Sequence, residues 1–389
     1  MKKLNKFFAV LVALAMMAVM CVTAAFALDA ADKDTQVADE FVLTKNLEIP
    51  VGTTVPSATF KFTATATAES AANSPTITIP DVTFTSTSAT TAKEAGSDVL
   101  VATQTRENIF ASLTTPGKYV YEIKETPNTN TENSEKYTYE QKSYVVRIYV
   151  DAEGKQTFTI TEKANATAEE KKDGVEVVKD ENGDTKKVAD AEFDNTYVKT
   201  KTVDPNGNKE DPSNDAAGLA IEKEVTKDEG KLYDNTPFTF NVKATRPTLS
   251  AVEQYTYDVV NVNTGDKVKE NQKISATATT TTPIELKTGE RIVFKDLDVG
   301  AVVTVNETAH PDFTTTATLN KTAEYTQDSN IAITQTGTEY VKVENEYNKG
   351  NTGPEGILIS NLPYIALALV AVGGLVAYVV VRRKNENEA

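Results

Sequence analysis

From about residue 38 to residue 348 the chain is written in short stretches where apolar and polar side chains alternate. The runs TFKFTAT, YVVRIYV, TFTIT, FTFNVKAT and VVTVNE are rich in Thr, Val, Tyr and Phe and follow a period of two, the pattern of a strand with one face in a core. Turn-forming clusters separate them; Asp151-Ala152-Glu153-Gly154, between two such runs, reads as the turn of a hairpin. No long amphipathic helix interrupts the series, so the predicted class is all-β, with strands packed as sandwiches. Only the two ends break the alternation, each with one long apolar stretch.

The strand pattern occurs twice. Thr200 to Asp215, TKTVDPNGNKEDPSND, is polar with Pro, Gly and Asn, the composition of a linker, and divides the region into halves at 38–198 and 218–348, with 199–217 between them. Each half opens on an alternating strand that carries a lysine: Leu43, Lys45 and Leu47 in one, Leu219, Ile221, Lys223 and Val225 in the other. A Phe-x-Phe strand follows, with Phe60 and Phe62 matched by Phe238 and Phe240. IFASLTTPGKYVYEIKET then faces IVFKDLDVGAVVTVNET, and the strands end at Glu125 and Glu307. Each half closes on a strand carrying an asparagine, Asn195 or Asn345.

The ends and the charge place this domain pair outside a cell. Residues 1–27 combine three lysines, an apolar run and a small-x-small ending at Ala25-Phe26-Ala27, the layout of a cleaved secretory signal peptide. Cys21 lies inside that run behind Met20, too large a residue for a usual lipoprotein site, so the mature chain has no cysteine and no disulfide. Loss of Lys2, Lys3 and Lys6 takes the net charge from -16 to -19, which disfavours nucleic acid as a partner. One histidine, His310, and no cysteine supply neither a His-based triad nor a multi-His metal site, and no cofactor or metal is expected. Leu362 to Val381 has no charge over the length of a transmembrane helix, and Arg382, Arg383 and Lys384 begin a basic cytoplasmic tail, 382–389.

Within this frame six polar residues stand on inward faces. Lys45 is in register with Leu43 and Leu47, Glu125 with Tyr121 and Ile123, and Asn195 with Phe193 and Tyr197; Lys223, Glu307 and Asn345 repeat the arrangement. Singly, each has an ordinary explanation: a lysine can snorkel, a strand-end glutamate can be solvated, an asparagine can satisfy a turn. The same three types in the same order in both halves point to chemistry. Desolvation lowers the pKa of a lysine toward the neutral, nucleophilic amine and raises that of a glutamic acid toward the protonated form. Such an acid can donate a hydrogen bond to the asparagine carbonyl and relay protons, while packing supplies alignment. The amine then attacks the asparagine side chain, ammonia leaves, and an amide joins the two strands.

The motifs LTKNL and LAIEKEV, YEIKET and VTVNETAHP, and FDNTY and VENEY resemble those of streptococcal-type major pilins, Gram-positive surface proteins built from Ig-like (CnaB-type) sandwich domains with intramolecular isopeptide bonds. VNETAHPDF is similar to the pilin E-box. The resemblance implies that first and last strands lie side by side, bringing Lys45 to Asn195 and Lys223 to Asn345, with Glu125 and Glu307 promoting each bond. It also implies a sortase sorting signal in the region 349–361: KGNTG, with cleavage between Thr352 and Gly353, although Gly350 stands where proline is usual. In such pilins a lysine shortly before the first bonding asparagine links one subunit to the next. Here Lys187 and the adjacent Lys186, in DTKKVAD, are the candidates, and two merely solvated loop lysines are the alternative.

The function implied is structural: a pilus shaft subunit, exported, held in the membrane by its tail before sorting, then joined to copies of itself or to peptidoglycan. The alternative is a monomeric anchored stalk or adhesin. A surface hydrolase with paired carboxylates is disfavoured, because it needs neither the repeated lysine nor the asparagine. Chemistry directed once at the chain itself does not make an enzyme.

Overall fold

The computed structural model describes residues 37–127, 134–164, 171–172, 175–179, 185–202, 216–228, 231–277 and 279–348. The segments expected to be signal peptide, sorting region with Thr352 and Gly353, transmembrane helix and basic tail lie outside the described residues, as do residues 203–215 of the expected linker. What is described is all-β, in two halves with separate apolar cores.

In the first half one sheet runs Val175–Lys179, Thr185–Lys199, Glu40–Pro50, Val99–Glu107, Thr90–Ala92, with Glu135–Thr138 added beside Thr185–Lys199. The facing sheet runs Lys171–Lys172, Gln156–Lys163, Ser143–Val150, Gly117–Thr126, Ala58–Ala66, Val82–Phe84. The hairpin at Asp151–Gly154 forms as the turn residues require: Gly154 has φ of 82°, and the Asp151 carboxylate accepts the backbone N–H groups of Glu153 and Lys155. In the second half the larger sheet runs Lys267–Ser275, Gln254–Asn261, Glu290–Phe294, Leu219–Thr226, Glu339–Tyr347, Phe313–Leu319, Ala323–Glu324. Thr282–Leu286, Phe238–Thr245, Val302–Glu307 and Ile331–Ala332 form the smaller one.

In each half the opening and closing strands pair in parallel at the centre of a sheet: Glu40–Pro50 with Thr185–Lys199, and Leu219–Thr226 with Glu339–Tyr347. Period two then divides their side chains between two environments. On the opening strand Leu43 and Leu47 are fully buried, while the alternate residues Thr44 and Asn46 donate to Asp190, and to Glu192 and Asp194, on the outer face. Lys186 and Lys187 lie in the closing strand, opposite Val178 and Val177, rather than in a loop; Lys187 is exposed. The charged excursion before Asn195 thus folds back as an extra strand on the sheet.

The halves touch through the first residues of the polar linker. Thr200 bridges to Asp298 and donates its hydroxyl to that buried carboxylate at 2.8 Å, and the Lys201 ammonium donates to the carbonyls of Gln335 and Gly337. Gly300, with φ of 88°, lies against Pro50 and Val51; a Cβ built there would meet the Pro50 Cβ at 2.6 Å.

Candidate functional site: two buried lysine, glutamate and asparagine triads

The parallel pairing sets the same register at both sites. Lys45 lies opposite Phe193 and Leu47 opposite Asn195; Lys223 lies opposite Val343 and Val225 opposite Asn345. Lysine and asparagine are therefore one inward step apart along paired strands, both pointing into the core. The glutamate arrives from the other sheet, where Glu125 pairs with Phe62 and Glu307 with Phe240. Lys45, Asn195, Lys223 and Asn345 are each 0% exposed, and the side chains of Glu125 and Glu307 are 1% and 0% exposed.

In the first site the Lys45 ammonium donates to Glu125 Oε2 at 3.3 Å and to the Phe193 carbonyl at 3.1 Å, and Asn195 Nδ2 donates to Glu125 Oε1 at 2.7 Å. In the second, Lys223 Nζ donates to Glu307 Oε2 at 2.8 Å and Asn345 Nδ2 to Glu307 Oε1 at 2.6 Å. All three predicted residues come together in each half. The carboxyl bridges amine and amide in both, but it meets the amide through nitrogen, not through the carbonyl oxygen that sequence reasoning assigned to it. Glutamate thus stands between the lysine amine and the asparagine amide nitrogen.

Burial sets the electrostatics. Desolvation brings Lys45 and Lys223 down to about 8, against the opposing pull of their glutamates. The same burial raises Glu125. The amine of each pair also lies over an aromatic ring, Lys45 Nζ at 5.0 Å from the Phe60 centroid and Lys223 Nζ at 4.4 Å from Phe238. Tyr137 and Tyr139 cover Phe60, while His310 and Phe313 of the VNETAHPDF segment cover Phe238. Moving one proton from Nζ to the carboxyl converts each buried ion pair into a neutral amine and a neutral acid. The repulsive desolvation of both charges is thereby relieved.

The second half matches a family model. It covers residues 217–347 and is described as a domain of unknown function (DUF7601). No curated protein matches the chain. Among solved structures, the major pilin T-13 of Streptococcus pyogenes is 18% identical, over 81% of this chain and 100% of its own, with a TM-score of 0.31. Another S. pyogenes major pilin is 18% identical over 80% of this chain and 99% of its own, with a TM-score of 0.29. A pilus-presented adhesin, Cpa, is 14% identical over 52% of this chain and 35% of its own, with a TM-score of 0.25. Likeness this distant transfers no function, which has to be argued from the triads themselves.

Two parts of the sites were invisible to sequence reasoning. The Phe-x-Phe strands stood out as a repeat, yet nothing marked Phe60 and Phe238 as the rings beneath the amines. The other is Glu140, whose backbone N–H donates to Asn195 Oδ1 at 3.1 Å from a loop. Asn345 Oδ1 has no such donor among the described residues, although it is buried. Leaving a buried carbonyl unpaired costs about 1–3 kcal/mol.

Proposed function

We propose that this chain is a structural cell-surface protein, the shaft subunit of a sortase-assembled pilus, whose halves each cross-link themselves through a Lys–Asn isopeptide bond. The observation that carries the reading is the pair of triads: buried lysine and asparagine on the paired first and last strands of both halves, joined by a buried glutamate side chain from the facing sheet. A buried lysine–glutamate pair is a poor device for stability alone, because desolvation offsets much of the attraction. Conversion to an amide removes the charge and leaves a covalent tie. Intact mass of the purified exported region tests this directly. It should fall short of the sequence mass by two ammonias, with Glu125→Ala restoring one and Glu307→Ala the other; a mass equal to the sequence mass would end the proposal.

Polymerisation is the finer part of the reading. A sortase would cut after Thr352 and join that carboxyl to Lys187 or Lys186 of the next subunit. Lys187 is exposed, and its carbonyl accepts the Asp39 N–H, which puts it at the start of the opening strand. That end is opposite the one where Pro50 and Lys199 to Lys201 meet the second half. An acceptor there leaves the tail of the neighbouring subunit free to approach end to end. Wall extracts blotted from cells with the native sortase should give a ladder of SDS-resistant multimers that Lys186→Ala/Lys187→Ala abolishes; a single monomer band in wild type would favour the anchored stalk.

A further inference from the structure

Beside Asn195, among the described residues, two short strands flank one edge of the closing strand of the first half with an interval between them. Val175–Lys179 pairs with Thr185–Ala189, and Glu135–Thr138 pairs with Thr196–Lys199. Among the described residues, no strand flanks Asp194 and Asn195 on that side. Glu140 occupies part of the gap from the loop after Glu135–Thr138. Its carboxylate accepts the Asp194 N–H at 2.9 Å, and its own N–H is given to Asn195 Oδ1 at 3.1 Å. A backbone N–H can only donate, so this bond fixes which end of the amide is oxygen. The nitrogen end is then aimed at Glu125.

The second half has no gap. Phe313–Leu319 pairs with the closing strand without interruption, from Phe313 opposite Tyr347 to Leu319 opposite Val341, with Thr315 opposite Asn345. Backbone groups on that edge are committed to the ladder, and Asn345 Oδ1 is left without a donor among the described residues.

We propose that the backbone N–H of Glu140 is the oxyanion donor for attack on Asn195, so that the Lys45–Asn195 bond forms faster than the Lys223–Asn345 bond. This rests on the self-cross-linking reading and adds a catalytic group to it. As the neutral Lys45 Nζ bonds to Asn195 Cγ, the carbonyl π electrons move onto Oδ1, where the Glu140 N–H already points. The protonated Glu125 gives its proton to Nδ2 through one oxygen while the other takes a proton from Nζ, the Cγ–Nδ2 bond breaks, and ammonia leaves as the carbonyl re-forms. At Asn345 the same negative charge develops in a buried site with no donor on the oxygen among the described residues. Loss of one preorganised donor of this kind slows acyl chemistry about 100- to 1,000-fold.

The experiment follows both bonds in the full chain made by cell-free synthesis. Aliquots are quenched in denaturant, digested, and the two cross-linked peptides quantified by mass spectrometry. In wild type the Lys45–Asn195 peptide should accumulate first. Incorporating the α-hydroxy analogue of glutamate at position 140 replaces the N–H by an ester oxygen, and should slow that bond about 100-fold without changing the other. An ester variant that cross-links at the wild-type rate would overturn the proposal, as would equal rates for the two bonds in wild type, a comparison that needs no variant to fold. Absence of both bonds in wild type would instead remove the self-cross-linking reading, and this inference with it.

Discussion

Removal of Asn345 distinguishes one covalent tie from a set of separable contacts. On the polymer model, a bond from Lys223 to Asn345 closes a loop of roughly 120 residues and removes about 5 kcal/mol of unfolded-state entropy. A unit of about 130 residues has an unfolding entropy on the order of 0.27 kcal/mol per kelvin, so losing the tie should lower its melting temperature by roughly 18 °C. Asn345→Ala also removes the hydrogen bond to Glu307, which adds about 1 kcal/mol. Lys223→Ala empties a fully buried site and breaks the ion pair at 2.8 Å. If the tie is covalent, each variant forfeits the same large term, and Lys223→Ala/Asn345→Ala forfeits it only once. The coupling between the two substitutions should then approach about 5 kcal/mol, beyond the 0.5–3 kcal/mol usual for residues in contact. Scanning calorimetry of the second-half transition, with intact mass on the same samples, measures all four corners of the cycle. A fall of less than about 5 °C for either single variant, or losses that simply add in the double, would refute the reasoning.

The pH dependence of bond formation follows from the proton count of the first pair, in which the reactive state holds one proton between Lys45 and Glu125. As pH falls through the raised range of Glu125 both groups are protonated and the amine is charged; above about 8, where Lys45 titrates, the pair has lost the proton that the departing nitrogen needs. The rate of Lys45–Asn195 formation should therefore be bell-shaped, and a monotonic rise to alkaline pH would contradict the shuttle role of Glu125. Gly300→Ala should disturb the junction between halves, because a Cβ there meets Pro50 at 2.6 Å, whereas Gly265→Ala, at a similar φ of 74° with nothing within 4 Å, carries only the backbone strain of about 1–2 kcal/mol. Small-angle scattering should report a changed relative orientation of the halves for the first substitution and none for the second.

The triads were legible because a strand has only two faces. Lys45 between Leu43 and Leu47 can point only where they point, and the second copy at Lys223 makes the placement systematic. The rotation of the asparagine amide was not legible. It is decided by Glu140, 55 positions before Asn195, in a loop with no period to read. Nor did the polarity of Thr200 and Lys201 suggest that they are docked. Their partners are a buried carboxylate, Asp298, and two backbone carbonyls, which only the folded second half assembles. The strand at Val175–Lys179 was hidden for a different reason: its neighbours are charged, so the excursion reads as polar although its backbone pairs with Thr185–Ala189.

The parallel pairing of first and last strands also decides how each tie would meet a pull along the chain. With a neighbour joined at Lys187, as proposed, tension enters the closing strand of the first half near its beginning and leaves it at Lys199, where the chain docks on the second half. That path runs along one strand and never crosses from Asn195 to Lys45, so the first tie secures the opening strand against a strand already under load. In the second half the chain enters at Leu219 and leaves beyond Tyr347, at the opposite ends of a parallel pair. Here tension must pass from one strand to the other. The tie between Lys223 and Asn345 would shunt it across after a few residues; without it, roughly 120 residues could pay out at about 3.5 Å each, some 400 Å. On this proposal the two ties are alike in chemistry and unlike in duty: the one whose asparagine oxygen has no donor among the described residues is the one that would stand in the line of force.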